Sequence, residues 1–403
     1  MGKFIVVVLD GFGVGQMPDA PQVRPADVGA NTCAHIFESA PGLELPNLAR
    51  LGLASACGRV FPGLPASDSA LWGTANLMHE GADTFFGHQE IMGTKPAHPF
   101  GEPIQGKIDE IARALSEGGF DVEIHRSESG LRLIVVDGCC TVADNVECDP
   151  GQAFNVTAAL DDMDFERELE VGRIVRSIAR VPRVITFGGR GVHLDNLLGA
   201  IEEHGEYIGV NAPASGVYVN DYHCIHMGYG VDERVQAPYI LGEAGVEVRL
   251  LGKVADVCAN RFGTSESIVD TAEVLTRTRE LIEAEGDRFI CANVQETDLS
   301  GHRESVEAYV DRLRVADAGI AGILEVLGDE DVLVVMADHG NDPTIGHPHH
   351  TRERVPLLVH RRGMKAGTIG ERATLSDVGA TVADYFGVDA PQNGTSFLAR
   401  VLE

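Results

Sequence analysis

The chain opens with an unbroken apolar run rich in β-branched residues, Phe4-Ile-Val-Val-Val-Leu9, which ends at Asp10. A strand that is apolar on both faces is typical of a parallel sheet buried between layers of helices. Similar runs recur far downstream at 289–294 and 332–336, and 356–360 is a further candidate. The opening therefore predicts a parallel sheet whose strands are separated by long stretches of chain.

Helical patterns fill the intervals between these strands. Alternation of strand and helix predicts an α/β fold with a mostly parallel sheet between helix layers. With 403 residues, the chain is long enough for two domains, or for one large domain with an insertion. The predicted helices have apolar residues at spacings of three and four and cover 269–285, 305–326 and 375–386.

The middle of the chain has a different character. It begins among three prolines, ends near Asn211-Ala-Pro213, and contains short strand patterns instead of long apolar runs. We interpret 98–211 as a smaller α/β cap domain inserted into a core formed by 1–97 and 212–403. Its predicted strands are 122–126, 131–136 and 183–186, and its predicted helix is 196–204.

Charge and cysteine content limit the partners and the compartment. The 61 acidic residues outnumber the 32 Lys and Arg, for a formal charge of -29, so the surface repels nucleic acids and anionic lipids. The six-residue apolar run at the start is too short for a secretory signal, and no apolar run reaches 18 residues. Eight cysteines without a CxxC pair are typical of reduced thiols. We predict a cytoplasmic protein, monomeric or a small homo-oligomer, with no nucleic-acid or membrane partner.

Carboxylate and imidazole side chains follow three of the predicted strands, where ligands gather in a parallel α/β sheet. Each could alone be a turn, a helix cap or a polar loop, but together three Asp and three His are enough for two metal ions. Carboxylate and imidazole without thiolate favour Mn²⁺, Zn²⁺ or Mg²⁺. Two such ions can clamp the attacking and leaving oxygens of a displacement at phosphorus. The predicted ligands are Asp10, Asp298, His302, Asp338, His339 and His350.

A second unusual stretch, 81–93, contains a candidate nucleophile. Thr84 lies between Asp83 and two phenylalanines. A metal ion bound to a threonine hydroxyl would lower its pKa and make it reactive. Alternatively, Asp83 and Thr84 cap a helix, and the two roles are compatible because a helix N-terminus also favours a phosphoryl group. By chemistry alone, Thr74 and Ser67 remain equally possible nucleophiles.

Several of these stretches resemble the prokaryotic phosphopentomutase family of the alkaline phosphatase superfamily. The resemblance covers the core from both ends, and the late metal motif is the most specific part. The matching stretches are Leu9-Asp-Gly-Phe-Gly-Val-Gly15, Gly81-Ala-Asp-Thr-Phe-Phe-Gly-His-Gln-Glu-Ile-Met-Gly93, Ala337-Asp-His-Gly-Asn-Asp-Pro343, His350-Thr-Arg-Glu353, Leu375-Ser-Asp-Val-Gly-Ala-Thr-Val-Ala-Asp384 and Gly394-Thr-Ser-Phe397.

The resemblance implies an alkaline-phosphatase-like core and an isomerase of nucleoside and pentose phosphate metabolism. Thr84 matches the threonine that carries a phosphoryl group between C1 and C5 of ribose or deoxyribose phosphate. The family also implies two Mn²⁺ ions, one held by Asp298, His302 and His350 and the other by Asp10, Asp338 and His339.

The resemblance is weaker on the substrate side. Three residues separate Asp298 from His302, as in cofactor-independent phosphoglycerate mutases, where the family usually has four. The stretch 214–222 lacks the family's arginines, which would bind a phosphate in a bidentate manner. Asp144, Arg173 and Lys253 match substrate-binding positions, and Arg190, with His193, is a candidate replacement for the missing donors; Arg173 and Lys253 could also be plain surface charges.

The sequence thus predicts a phosphosugar mutase that acts on a small-molecule sugar phosphate, with the cap excluding water from the reaction. Two alternatives remain open. One is a metal-dependent phosphatase or phosphodiesterase with the same site, and the other is a non-catalytic metal-binding homologue.

Overall fold

The computed structural model describes residues 2–147 and 151–403. The chain forms two compact units, a core unit of Met1–Pro96 with Asp232–Glu403 and a second unit of Ala97–Val231. Seven of the eight cysteines are described, and all seven are free. Cys148 lies outside the described residues.

The strands form three sheets. In chain order they are β1 (Lys3–Leu9), β2 (Leu71–Ala75), β3 (Val122–Arg126), β4 (Arg132–Val136), β5 (Cys140–Asp144), β6 (Ala153–Ala159), β7 (Arg183–Gly189), β8 (Ile201–His204), β9 (Tyr207–Val210), β10 (His223–Gly228), β11 (Glu247–Leu251), β12 (Thr264–Glu266), β13 (Arg288–Val294), β14 (Val332–Met336), β15 (Val355–His360) and β16 (Gly367–Arg372).

The helices occupy most of the intervals between the core strands. In chain order they are α1 (Ala20–Val23), α2 (Thr32–Ser39), α3 (Pro46–Arg50), α4 (Leu53–Cys57), α5 (Thr84–Ile91), α6 (Ile108–Glu117), α7 (Phe165–Ile178), α8 (Leu194–Gly199), α9 (Ala212–Ser215), α10 (Ala237–Glu243), α11 (Lys253–Val257), α12 (Thr271–Glu283), α13 (Glu296–His302), α14 (Val306–Val326), α15 (Ser376–Phe386) and α16 (Leu398–Val401), with 3-10 turns at Pro25–Asp27, Ile104–Gly106 and Glu233–Val235.

The core unit is built on an eight-stranded sheet in the order β12-β11-β13-β1-β14-β15-β2-β16. All neighbouring pairs are parallel except the two that involve β15, which runs against both β14 and β2. The strand β1 is central, and its residues from Phe4 to Leu9 are buried, as the unbroken apolar run predicts. Helices pack together in two groups, one with α12 and α14 and the other with α10 and α15. The predicted α/β core with a mostly parallel sheet between helices is confirmed.

The register of three central strands aligns their carboxyl ends. Leu9 of β1 is the partner of Val294 in β13, and Val8 of β1 is the partner of Met336 in β14. The residues that follow these strands therefore emerge side by side at one edge of the sheet. This edge carries the candidate site.

The second unit contains a six-stranded sheet in the order β10-β7-β6-β5-β4-β3, in which only β6 and β7 are parallel. It ends at Val231, beyond the boundary near residue 211 that the sequence indicated. The difference arises because β10 pairs along its whole length with β7, from His223 beside Gly188 to Gly228 beside Arg183. The sequence pattern of β10 did not indicate that this strand belongs to the second unit.

One predicted element of the second unit is wrong. The helix expected over 196–204 ends early, at Gly199 in α8, and Ile201–His204 is instead the strand β8. This strand forms an antiparallel hairpin with β9, in which His204 pairs with Tyr207 around a tight turn. Gly205 takes up a φ of 68° in that turn, a left-handed conformation that glycine adopts easily. The turn chemistry thus outweighs the helical pattern.

No helix in the described part of the chain is long and apolar enough to cross a membrane.

Candidate active site

Three aspartates that follow neighbouring core strands lie buried at the same edge of the sheet, namely Asp10, Asp298 and Asp338. The turn after β1 brings them together. Gly11 has a φ of 72°, and its N–H donates to Asp338 Oδ1 at 3.2 Å. A Cβ on this residue would lie 2.9 Å from the Cβ of Asn341, so the turn requires glycine both for its conformation and for space.

Each predicted histidine ligand has its Nδ1 atom within hydrogen-bond distance of a backbone carbonyl oxygen. Because a carbonyl oxygen can only accept, Nδ1 carries the hydrogen and Nε2 keeps a lone pair. Contacts of this kind orient histidine ligands in metal sites. The pairs are His339 with Gly340 at 2.9 Å, His350 with Ala82 at 2.8 Å and His302 with Pro348 at 2.7 Å.

One group of candidate ligands is formed by Asp10, Asp338 and His339, whose ligand atoms all lie within 4.8 Å of one another. His339 Nε2 is 3.3 Å from Asp338 Oδ2 and 3.5 Å from Asp10 Oδ1. Neither His339 Nε2 nor Asp10 Oδ1 has a hydrogen-bond partner, although both atoms are buried. Buried polar atoms left in this state are costly, and a bound cation would satisfy both.

A second group is formed by Asp298, His339 and His350. His302 joins it at the rim, because its Nε2 atom lies 3.4 Å from Asp298 Oδ2 and 3.0 Å from His350 Nε2. Two imidazole lone pairs at this distance repel each other unless a proton or a cation lies between them. The structure therefore brings all six predicted ligands together in two adjoining groups that share His339.

The electrostatics of the edge also favour a cation. Burial, together with the nearby Asp338 and Asp298, raises the pKa of Asp10 to about 7 against the opposing pull of Lys253. The pKa of Asp338 is held well below its usual range because His339 and His88 outweigh its burial. Carboxylates packed this closely cannot all be charged without positive charge beside them. The donors of the edge fit divalent metal.

Lys253 supplies part of this positive charge. It is the first residue of α11, and its Nζ atom lies 3.1 Å from both Asp10 Oδ2 and Asp298 Oδ2. These contacts raise the pKa of Lys253 far above its usual value despite burial. The sequence indicated a substrate-side role for Lys253, and the structure places it among the candidate metal ligands themselves.

Thr84 is the first residue of α5 and faces the same carboxylates. Its hydroxyl donates to Asp338 Oδ2 at 2.7 Å. Asp83 caps the helix by accepting from the N–H of Phe86, as one sequence interpretation predicted, so capping and contact with the site occur together. Gly87 allows the approach, because a Cβ there would lie 2.8 Å from the Asp338 carbonyl oxygen.

The other two candidate nucleophiles lie elsewhere. Thr74 is inside β2, opposite Pro356 of β15. Ser67 is near the opposite end of β2, where its hydroxyl donates to the Arg50 carbonyl oxygen at 2.9 Å. Of the three hydroxyls left open by the sequence, only that of Thr84 contacts a predicted ligand in the described structure.

His88 was missed by the sequence reasoning. Its Nδ1 atom lies 2.9 Å from the Thr84 carbonyl oxygen and 3.2 Å from Asp338 Oδ2, and its Nε2 atom lies 3.0 Å from Asn293 Nδ2. Burial alone would lower the pKa of His88, but Asp338 and Asp10 raise it. The available signal was its position four residues after Thr84 in a predicted helix, which places the two on one face.

Arg352 was also missed, although it lies in the quoted motif after His350. It is buried, and its guanidinium donates to Asp19 and to the carbonyl oxygens of His79 and Gly81, at 2.8 and 2.5 Å for the latter two. The residues it holds lead directly into α5. Arg352 therefore ties the strand-end motif of the ligands to the segment that presents Thr84.

The remaining predicted substrate residues belong to the second unit, where two of them have structural partners. Asp144 accepts the backbone N–H groups of Ile104 and Ile208, at 2.8 and 3.0 Å, and burial raises its pKa to about 6. Arg173 is exposed on α7.

Arg190 has partners too. It donates to Asp221 Oδ2 at 2.8 Å and to Asp161 Oδ1 at 3.3 Å. His193, its proposed companion, lies 2.8 Å from Asp162 through Nδ1. Both cations of the predicted replacement are thus already opposed by carboxylates.

Comparison with known proteins agrees with this site. The sequence model of the metalloenzyme superfamily matches residues 2–390. A phosphopentomutase of Symbiobacterium thermophilum is 32% identical, covering 99% of this chain and 98% of that protein. The chain belongs to the phosphopentomutase family. A second phosphopentomutase, of Aeromonas salmonicida, is 31% identical over 99% of this chain and 100% of its own length. The solved Leishmania mexicana phosphoglycerate mutase covers 98% of the chain with 15% identity and a TM-score of 0.44.

Family membership confirms the resemblance noted in the sequence and makes this chain an isomerase of the phosphotransferase-mutase type. It also implies that the chain binds divalent metal, which agrees with the two groups of candidate ligands at the sheet edge.

Proposed function

We propose that this protein is a phosphopentomutase that moves a phosphoryl group between two oxygens of ribose phosphate, deoxyribose phosphate or a related sugar phosphate. In this proposal, Thr84 carries the phosphoryl group. Two divalent ions, Mn²⁺ before Zn²⁺ or Mg²⁺, are held by Asp298, His302 and His350 and by Asp10, Asp338 and His339.

The contact between Thr84 and Asp338 carries the proposal. A threonine hydroxyl is a weak nucleophile unless a base or a cation acts on it. The Thr84 hydroxyl donates to a carboxylate that also lies beside His339 and His88, and it starts a helix whose N-terminus favours a phosphoryl group.

The reaction that we propose has two transfers. The Thr84 oxygen forms a bond to phosphorus as the bond from phosphorus to one sugar oxygen breaks, and the reverse transfer places the phosphoryl group on another sugar oxygen. Asp338 Oδ2 accepts the hydrogen bond of the Thr84 hydroxyl and orients it for attack, and the hydroxyl hydrogen goes to the sugar oxygen that leaves phosphorus. The bound metal ions supply the positive charge that offsets charge developing on the transferred group.

The other residues of the edge would position these groups. Lys253 would supply positive charge beside the two carboxylates where the phosphoryl group is handled. His88 holds the first turn of α5 by donating to the Thr84 carbonyl oxygen. A cytoplasmic location is part of the proposal and is supported by the seven free cysteines of the described residues.

Intact-mass spectrometry tests the proposal directly. Purified enzyme with Mn²⁺ is incubated with ribose 1,5-bisphosphate or other sugar bisphosphates, and residues 81–93 are mapped by peptide analysis. We expect one added phosphoryl group on Thr84, which is passed on when a sugar monophosphate is supplied. Labelling of a different residue, or no labelling by any bisphosphate while two metals are bound, would refute the phosphothreonine.

A second candidate is a phosphohydrolase with the same site. It is favoured by one observation, that Arg190 is opposed by Asp161 and Asp221, which leaves it poorly placed to hold the distant phosphate of a bisphosphate. Release of inorganic phosphate at the rate of substrate loss would support this candidate, whereas relocation of phosphate without release supports the mutase.

A further inference from the structure

The edge of the core sheet opposite the candidate active site carries two neighbouring cavities that share Arg50. The smaller one has a volume of about 150 Å³, and the larger one about 380 Å³. His360, which lines the smaller cavity, is the strand partner of Leu333, five residues before Asp338. At about 3.3 Å per residue, this places the cavity roughly 16 Å from the metal ligands.

Three nitrogen-bearing side chains meet at the smaller cavity. The Arg50 guanidinium and the His360 ring make no hydrogen bond or ion pair with any side chain of the described structure. Arg361 pairs with Glu330 through Nη2 at 3.0 Å, but its Nε is buried and has no partner. The buried Nε of Arg361 lacks an acceptor, and an anion in the cavity would supply one and offset the charge of the exposed Arg50.

The neighbouring arginines affect the pKa of His360. Burial, Arg50 and Arg362 lower the pKa of the His360 ring, in that order of size. Arg362 is partly balanced by Asp329 and Arg361 by Glu330, while Arg50 has no such partner. The local field therefore favours an anion beside Arg50.

The larger cavity is different in character. Apart from Arg50, Glu44 and Ser67, it is lined by Pro46, Ala49 and other small or ring-shaped apolar residues. A rigid apolar surface of this kind suits a sugar or a base ring, whose hydroxyls can donate to Glu44 and can donate to or accept from Ser67. The smaller cavity holds the volume of about five water molecules, which is enough for a phosphoryl group.

We propose that these two cavities form a second binding site for a small phosphorylated metabolite, with the phosphoryl group against Arg50, His360 and Arg361 and the organic part between Pro46 and Ser67. The site is remote from the metal ligands and does not depend on the reaction they perform. A site of this kind would let a phosphorylated compound act on the enzyme without competing for its catalytic centre.

Isothermal titration calorimetry of the metal-loaded protein tests the proposal, with inorganic phosphate and adenosine monophosphate as probes. Phosphate also binds the metal centre, so the informative quantity is the difference between variants. We expect two classes of site in the wild type. In Arg50→Glu, the affinity of the second class for phosphate should fall at least about tenfold, so that one class remains detectable. Arg314→Glu, on α14 and paired with Asp311, is the matched control and should keep both classes.

Ala66→Trp separates the two halves of the site, because Ala66 is exposed and lines only the larger cavity. It should weaken adenosine monophosphate at the second site and leave inorganic phosphate unchanged. Identical isotherms for wild type and Arg50→Glu would overturn the proposal. Unchanged nucleotide binding in Ala66→Trp would overturn the assignment of the organic part.

Discussion

The carboxyl edge of the core sheet differs from Asp144 and Arg190 of the second unit in how far its charged side chains have partners. At the core edge, Asp10, Asp298 and Asp338 lie together, Lys253 contacts the first two, and buried atoms remain without partners. In the second unit, Asp144 and Arg190 have partners from their own unit. The unbalanced charges of the core edge are therefore available for chemistry, whereas the contacts of Asp144 and Arg190 hold the second unit together.

The largest effect should come from removing the hydroxyl at the core edge. Thr84→Ala is expected to lower kcat by at least about 1,000-fold, because the nucleophile is lost, while the metal content stays the same. Steady-state kinetics with metal analysis measures both. Thr74→Ala is the matched control, since Thr74 is a core threonine inside β2 that contacts no predicted ligand, and the kcat of this variant should stay within a few-fold of the wild type. Full activity in Thr84→Ala would refute the proposal that Thr84 carries the phosphoryl group.

Asp10→Asn should reveal the imbalance of charge. With metal present, we expect the bound metal to fall from about two ions per chain to about one, as measured by inductively coupled plasma mass spectrometry, and activity to fall with it. With a chelator, the variant should melt at a higher temperature than the wild type, because a buried repelling charge is gone. Asp311→Asn, at an exposed position on α14, is the control. If the chelated variant is instead less stable, then Lys253 alone balances the edge.

Arg352→Gln tests whether the hydrogen bonds of Arg352 position the loop before Thr84. Loss of the bonds to His79 and Gly81 should let Thr84 shift, and a displacement of about 1 Å can cost about 100-fold in rate. We expect kcat to fall by about 10- to 100-fold with KM and metal content nearly unchanged. Arg352→Lys, which keeps the charge, should recover part of the loss. A rise in KM at constant kcat would indicate a substrate contact instead.

The pH dependence of stability tests whether the buried Glu168 carboxyl of the second unit is charged. Its buried carboxyl has a pKa raised by burial from about 4.5 to about 8. The folded state therefore keeps a proton that the unfolded state releases, and the free energy of unfolding should fall between pH 4.5 and 8, by about 1.4 kcal/mol per pH unit. Glu168→Gln removes this slope, so denaturant melts of variant and wild type should diverge as pH rises. Parallel curves would mean that the carboxyl is ionised or paired.

Arg190→Ala should have the smallest effect. Its ion pairs with Asp161 and Asp221 are exposed, so we expect KM to change by no more than about twofold and Tm by no more than about 2 °C. Steady-state kinetics and a thermal melt are sufficient. A tenfold rise in KM would break the contrast between the two regions, because it would make a paired surface arginine part of substrate binding.

Much of the core could be predicted because its strands are buried on both faces and must be apolar throughout. The strand at 332–336 was predicted with its observed bounds, and the six ligand candidates follow strands whose ends could be located by the same run of residues. The second unit was predicted less well. Its sheet is exposed in part, so polar and apolar residues mix along β3 and the hairpin of β8 and β9, and a helical pattern at 196–204 was not decisive.

The contacts that distinguish a ligand from a structural charge depend on the tertiary structure. Asp144 and Arg190 were predicted as substrate residues without knowledge of their structural partners, and Ile208, which helps hold Asp144, lies 64 residues away. Arg352 and His88 drew no notice because their partners come from other parts of the chain. Burial and charge can be judged from sequence one residue at a time, but satisfaction of a hydrogen bond cannot.

The sequence alone determined the α/β class of the core, its central strands β1, β13 and β14, and the placement of three Asp and three His at the ends of these strands and in the loop that follows, because burial on both faces demands an unbroken apolar run. Only the tertiary structure decided which hydroxyl meets those ligands, since Thr84 and Asp338 are 254 residues apart and join through a single hydrogen bond. It also decided that β15 runs against its neighbours and that Lys253 lies among the ligands, because strand direction and long-range contacts arise when the chain closes on itself.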